Sequence, residues 1–307
     1  MRDDIEFIDL MNGKLLGDGC ITKQEGRKPR FQFTHSIKDK EWCEHCYSVL
    51  NEHLPLNAPK YKKVKDQRVQ SGYTEGYYVQ SKTDEAITLL RNLWYKNGKK
   101  ILPLSFISEH LTARTLAWWY QDDGHLKIQG NIPKKIILST ESFSPLENLQ
   151  LCKLLKEKFH LSFSQDKQNR IILYDKFQIL YFLKLIEPHL HPSMNRKFIP
   201  FFDICFSELS SRRTSIYLPE YLSLKSATVE INKQLLLLDQ ILESYRNELF
   251  YSEEVLSIIE LARKEKKTKA YQIMISQGNI HRLKMLNGLT GLNNNLLALL
   301  CFQYIKS

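Results

Sequence analysis

Two aspartates, Asp18 and Asp123, stand 105 positions apart, and each closes a similar stretch. Leu10 to Gly19 reads LMNGKLLGDG and Leu116 to Gly124 reads LAWWYQDDG. Each is an apolar run of helical spacing that ends in Asp-Gly. A carboxylate at a helix C-terminus faces the negative end of the helix dipole, an unfavourable placement unless a cation is bound. Two such acids brought together predict a site for a hard divalent ion with oxygen ligands. Asp122 directly precedes Asp123 and is its rival for that role.

The elements that must carry these acids repeat. Residues 5–17 place Ile5, Ile8, Leu10, Met11, Leu15 and Leu16 around a helix that stops at Gly17-Asp18-Gly19, where glycine breaks the helix and supplies left-handed conformations. Gly13 and Gly17 share one helix face, which lets a second helix approach closely. Cys20–Gln24 and Arg30–His35 read as strands, the latter strictly alternating about Phe31 and Phe33. A helix over Lys38–Leu50, strands near 60–66 and 73–81, and a helix over Thr83–Trp94 follow. The second half repeats this: a helix over Thr112–Asp122, strands near 125–129 and 134–140, and a helix opened by Ser144, Pro145 and Glu147 in a capping box. Strands near 161–166 and 170–174 and a helix over 175–186 complete it. The repeat is one of pattern, αββαββα twice, and not of residue types.

Both stretches resemble the signature of the LAGLIDADG homing endonucleases, in their single-chain, two-motif form, over about residues 5–205. The resemblance implies an α+β fold in which two pseudo-symmetric αββαββα halves form a DNA-binding saddle, with the motif helices packed at its centre. The halves are expected at 1–105 and 106–207, followed by an all-α C-terminal appendage at 208–307. It also implies a site-specific endonuclease that breaks both DNA strands by metal-assisted phosphodiester hydrolysis. Asp18 and Asp123 then serve as catalytic metal ligands, with Gly17 and Asp122 beside them, and Mg²⁺ as the ion. Trp118 and Asp122 depart from the strict signature, which has small residues there; Asp-Asp-Gly is itself a family variant. Lys100, in NGKKILP, and Lys197, in HPSMNRKFIP, match a KK-x-x-P and a late Lys of a two-motif member with one Lys near each cleavage site. Such a Lys orients the attacking water or offsets phosphate charge; Lys99 and Arg196 are their rivals. The alternatives on the same fold are a maturase that binds intron RNA and a diverged DNA-binding regulator, neither of which needs both acids.

The partner expected from charge is a polyanion: 44 Lys+Arg against 34 Asp+Glu give +10, of which residues 1–207 hold +7. Arg30, Gln32 and Thr34 on one strand face suit base edges, and Lys60, Lys62, Lys63, Lys65 and Arg68 suit phosphates. Lys127, Gln129, Lys134 and Lys135 are the second-half equivalents. Six scattered cysteines predict free thiols, not a disulfide framework. Cys43-Glu44-His45-Cys46 has half the ligands of a zinc site and no second pair, and reads as helix. No signal-peptide pattern opens the chain and no apolar run has the length of a membrane span, so an intracellular protein is expected, in bacterial cytoplasm or an intron-bearing organelle. In the appendage, Tyr271–Ile275, Gly278-Asn279 and a helix from Ile280 could form a helix–turn–helix module beside the basic run Arg263–Lys269. A helical buttress covering apolar surface on the core is the preferred reading of this appendage.

Two motifs in one chain predict a monomer on a long, non-palindromic double-stranded target. Light scattering of the DNA complex should give the mass of one chain; a stable protein dimer on DNA would contradict this.

Overall fold

The computed structural model describes residues 4–130, 132–199 and 213–303. The chain forms two compact units, one of residues 1–175 and 182–199, the other of 176–181 and 200–307.

The first unit holds the two αββαββα repeats except residues 176–181, the start of the last helix. The first half runs α1 (Ile5–Leu16), β1 (Cys20–Thr22), β2 (Arg30–Ser36), α2 (Lys40–Asn51), β3 (Lys60–Lys65), β4 (Tyr73–Gln80) and α3 (Glu85–Trp94). A short hairpin, β5 (Tyr95–Lys96) and β6 (Lys99–Lys100), and a helix α4 (Leu104–His110) connect it to the second. That half runs α5 (Ala113–Asp123), β7 (Gly124–Gln129), β8 (Ile132–Leu138), α6 (Pro145–Phe159), β9 (Ser164–Gln165), β10 (Ile171–Leu173) and α7 (Lys176–Ile186). The sheets are antiparallel, in the order β1-β2-β4-β3 and β7-β8-β10-β9. In both, the strands lie in the spatial order first, second, fourth, third, so the repeat extends from element order to topology. Ser144 opens α6 with the predicted capping box. Connector hairpin and α4 lie between the repeats and have no counterpart in the αββαββα pattern.

α1 and α5 are buried nearly all round. Every residue from Phe7 to Leu16 is buried, as is every residue from Thr115 to Gln121. A helix with no solvated face belongs in the centre of a structure, and these two pack on each other. A methyl group at Gly13 would come within 2.5 Å of Trp118 Cβ and 3.0 Å of the Thr115 carbonyl, and one at Gly17 within 2.6 Å of Asp122 Cβ. Each glycine thus meets the residue 105 positions on, the spacing that separates Asp18 from Asp123. A pseudo-two-fold axis between the helices requires this pairing of equivalents. The seam is unequal, because the first helix supplies glycines where the second supplies Trp118 and Asp122. The left-handed backbone expected at Gly17-Asp18-Gly19 is absent: Gly17 has φ −99°, and neither Asp18 nor Gly19 has a positive φ. Close approach, and not positive φ, is what requires Gly at 13 and 17.

Each sheet buries one face against helices. β2 alternates as predicted, with Phe31, Phe33 and His35 buried and Arg30 and Thr34 exposed. Behind them lie Trp42, Cys43, Cys46 and Leu50 of α2 and Ile87, Leu90 and Trp94 of α3. In the second half Leu126, Ile136, Leu138, Ile171 and Leu173 turn inward with Leu151 and Leu155 of α6.

The second unit is mainly helical, with α8 (Ala227–Gln234), α9 (Leu238–Arg246), α10 (Glu253–Lys264), α11 (Gln277–Thr290) and α12 (Asn294–Gln303). It is not helical throughout. β11 (Arg213–Pro219) and β12 (Thr268–Met274) pair antiparallel over their full lengths. The helix expected at Tyr271–Ile275 is therefore strand β12 and its exit, which rules out the helix–turn–helix reading. The period is two: Tyr271 and Ile273 are buried while Ala270, Gln272 and Met274 are exposed. Cys205 and Tyr304 lie outside the described residues; the other five cysteines are free thiols. Among the described residues no helix is long and apolar enough to cross a membrane.

Gly13→Ala tests the seam. Alanine favours a helix by about 1 kcal/mol over glycine, but overpacking a tight core costs about 1–3 kcal/mol. A lowered melting temperature is expected; a variant as stable as the parent would show that the helices do not approach this closely.

Candidate active site

The acids lie where α1 and α5 end. Asp18 follows the last turn of α1 and its side chain is 33% exposed. Asp123 is the last residue of α5, and its main-chain oxygen accepts from the Ser139 amide, 3.3 Å, which ties the helix end to the strand beside it. Asp122 sits differently. Its side chain is fully buried and accepts from Lys14 Nζ at 2.8 and 2.9 Å and from Trp42 Nε1 at 2.9 Å. It also accepts from the main-chain amide of Asp18 at 3.2 Å. The Asp122 carboxylate is committed to the seam, while the Asp123 carboxylate has no side-chain hydrogen bond among the described residues.

Electrostatics separate the two motif acids. Burial opposes charge on Asp18, but the hydrogen bond from His35 and the charge of Lys14 outweigh it and hold the carboxyl below its usual range. Burial, with Asp18 and Asp122 as like charges nearby, pushes Asp123 up to about 7. Clustered carboxylates, one of them driven to accept a proton near neutrality, are a donor set that a hard cation would relieve. The residues present fit such an ion.

Both predicted lysines reach the motif ends. Lys100 Nζ donates to the Gly19 carbonyl, 3.0 Å, just past Asp18. Lys197 Nζ donates to the carbonyls of Gln121, 2.6 Å, Asp122, 3.0 Å, and Tyr120, 3.3 Å, capping the negative end of α5. Burial lowers both, Lys100 to about 8. Their rivals face elsewhere: Lys99 is exposed and Arg196 pairs with Asp39 at 2.7 Å. Gly17 packs against Asp122, as described above.

The sequence reading missed a buried cluster behind Asp18. Lys14 Nζ lies 2.9 Å from His35 Nε2 and 3.9 Å from Cys46 Sγ, besides its pairing with Asp122. His35 Nδ1 lies 3.2 Å from Asp18 Oδ2. Burial would lower the Lys14 pKa, but the Asp122 charge overrides it and raises it. Ligand atoms of His35, Cys46 and Asp122 all lie within 4.8 Å of one another. That is a metal-like set, and the Lys14 ammonium stands within it. The signal was available: Lys14 is the one charged residue inside Leu10–Leu16.

The predicted contact residues divide by register. Arg30, Gln32 and Thr34 lie on one face of the first sheet, and Gln32 and Thr34 face Gln80 and Tyr78 across β4. Lys60 and Lys62 oppose Tyr78 and Gly76, so they share that face. Lys63 and Lys65 oppose Glu75 and Tyr73 and point the other way; Lys63 is paired with Glu75 at 3.7 Å. The strand was read as one basic run, but its period of two places alternate lysines on opposite faces. Arg68 sits beyond the strand, held by Asp66 at 2.8 Å. In the second half Lys127 and Lys135 stand directly opposite each other. The ladder shifts register beside them and skips Lys134, while Gln129 is exposed near the strand end.

Comparison with known proteins accords with this geometry. The chain is 30% identical over 206 residues to the cytochrome b mRNA maturase bI2 of Debaryomyces hansenii, covering 63% of this chain and 74% of that protein. It is 28% identical over 195 residues to a probable intron-encoded endonuclease 1 of Wickerhamomyces canadensis, covering 61% and 81%. Among solved structures it is similar to the homing endonuclease I-WcaI bound to its DNA recognition sequence, with a TM-score of 0.56 and 26% identity over 63% of this chain and 86% of that one. The model of the LAGLIDADG DNA endonuclease family matches residues 8–182, more than half the chain. With both motifs, both sheets and both acids inside that span, the chain belongs to the LAGLIDADG DNA endonuclease family.

Proposed function

We propose that this chain is a site-specific DNA endonuclease of the intron-homing kind that cuts both strands by divalent-metal-assisted phosphodiester hydrolysis, with Mg²⁺ as the ion. The observation that carries the reading is the convergence of Asp18 and Asp123, with Asp123 raised to about 7 by burial and its acidic neighbours. The two carboxylates would hold the ion, with Gly17 and Asp122 beside it. When bound, the ion supplies positive charge beside the scissile phosphate. The Asp122 carboxylate stays in its ion pair with Lys14. Lys100, drawn out of water at the first motif end, has protons left beyond its bond to Gly19 for phosphate oxygens or the attacking water, while Lys197, its three protons given to carbonyls of α5, offsets phosphate charge. Lys197 also neutralises the carbonyl end of α5, where Asp123 would otherwise face the dipole alone.

Double-stranded DNA would lie across the outer faces of the two sheets. Arg30 and Gln32 are the base-reading candidates and Lys60 and Lys62 the phosphate contacts. Lys127 opposite Lys135 is a like-charge cross-strand pair, unfavourable in isolation and relieved by a polyanion. A second reading, assistance of intron RNA splicing, draws on the relative named as a maturase. It needs no acid at either motif end.

Three outcomes test these readings. Asp18→Asn and Asp123→Asn should each abolish double-strand cutting of a target selected from a randomised library, while DNA affinity stays within about tenfold because groove contacts survive. Undiminished cutting by either variant would sink the assignment, and splicing assistance that survives both would favour the maturase reading. Mg²⁺ affinity should weaken as pH drops through about 7, where Asp123 of the metal-free protein takes up a proton that the ion must displace. In the metal-free protein the sign is reversed: a raised carboxyl pKa contributes stability at low pH that is lost as pH rises towards 7. Asp123→Asn should therefore melt higher than the parent at pH 8, and an equal or lower melting temperature would contradict the burial argument. Finally, Lys60→Ala and Lys62→Ala should each reduce the slope of log affinity against log salt by about 0.9, whereas Lys63→Ala should leave it unchanged. A fall with Lys63→Ala equal to the others would place the DNA elsewhere.

A further inference from the structure

The family reading gives no role to a lysine inside the first motif helix, yet Lys14 is fully buried at the tip of the seam, among three polar groups. Its ammonium has three protons and no acceptor capacity. Asp122 takes one at 2.8 Å, and the Cys46 sulfur lies 3.9 Å away. The remaining close neighbour is His35 Nε2 at 2.9 Å. An ammonium can only donate, so Nε2 must carry a lone pair, and the ring proton of a neutral imidazole then resides on Nδ1. That nitrogen faces Asp18 Oδ2 at 3.2 Å. His35 is itself held in place: it lies on β2 between Phe33 at 5.5 Å and the edge of Trp42 at 6.4 Å, and only 5% of it is exposed. The Lys14 ammonium stacks over the Phe33 ring at 4.3 Å, which fixes it further.

We infer that Lys14 is a positioning residue: by donating to His35 Nε2 it selects the imidazole tautomer whose Nδ1–H is aimed at the Asp18 carboxylate. The same ammonium neutralises Asp122, whose Oδ2 also receives the Asp18 amide. Asp18 is thereby held from two sides, at its main chain by Asp122 and at its side chain by His35, and Lys14 sets both. A carboxylate that ligates a metal is ordinarily oriented in this way by an outer partner. In this chain the partner is a histidine, and its tautomer is dictated by a cation built into the helix. The second motif has no such device, because Trp119 occupies the position 105 residues on. Asp18 and Asp123 are thus unequal by construction.

The inference rests on the proposed nuclease reading for its consequence but not for its test. Two-bond ¹H–¹⁵N spectra of the full chain labelled at histidine should show His35 as the Nδ1–H tautomer, the minor form of free imidazole. In Lys14→Met, which keeps the length and removes the charge, His35 should move to the Nε2–H form, for which Asp122 Oδ1 at 3.6 Å is an acceptor. An Nε2–H tautomer or a doubly protonated ring in the parent protein would overturn the inference, as would an unchanged tautomer in Lys14→Met. The parent spectrum decides by itself should the variant fail to fold. Where it folds, its cleavage rate should fall by about tenfold or more, the usual cost of removing an outer partner of a ligand, with DNA affinity retained; an unchanged rate would also overturn it. A parent protein that cuts no DNA would refute the nuclease reading and leave the tautomer result standing.

Discussion

A carboxylate at the seam of two helices, sealed from water, must be matched by a cation. In this chain the carboxylate is Asp122 and the cation is Lys14. Much of the site depends on that pairing. It joins α1 to α5, it gives Asp18 a main-chain acceptor, and it leaves Asp123 as the acid without a committed partner. A buried ion pair is weak evidence of net stability, because desolvation of both charges opposes their attraction. What it supplies is specificity: the ends of the two helices can meet in only one register.

The approach that makes the pairing possible comes from Gly13 and Gly17. Without side chains there, Trp118 and Asp122 can sit directly against the first helix. The two halves share topology and an interval of 105 residues, yet they are not interchangeable at the seam. The first helix contributes space and a cation; the second contributes bulk and an anion. A homodimer would have to place the same residue on both sides of the axis. A single chain is free to make the two sides complementary.

Much of this was legible in the sequence. Apolar runs ending in Asp-Gly located both helices, the alternation of Arg30 to His35 fixed which residues of β2 face inward, and Ser144 with Glu147 marked the start of α6. These signals are local, and local chemistry decides them. The rest depends on partners distant in sequence. Lys14 stands out in an apolar run, but its partner Asp122 lies 108 positions away, so the sequence alone does not pair them. The basic strand at 60–65 reads as one surface until pairing with β4 divides its lysines between two faces. β12 reads as helix because its alternation is short and adjoins the charged run at Arg263–Lys269, and its partner β11 lies some fifty residues earlier. Pairing across such a loop leaves no mark on either strand alone.

One buried charge pair joins the halves and so assembles the site. A double-mutant cycle on stability, with Lys14→Met, Asp122→Asn and the two combined, measures it most directly. Removing one partner of a buried pair typically costs about 3–5 kcal/mol, while removing both is far less harmful. The account predicts that each single variant is strongly destabilised and that the double variant recovers most of the loss, with a coupling of at least about 2 kcal/mol. Single-variant losses that simply add in the double variant would show that Lys14 and Asp122 do not depend on each other.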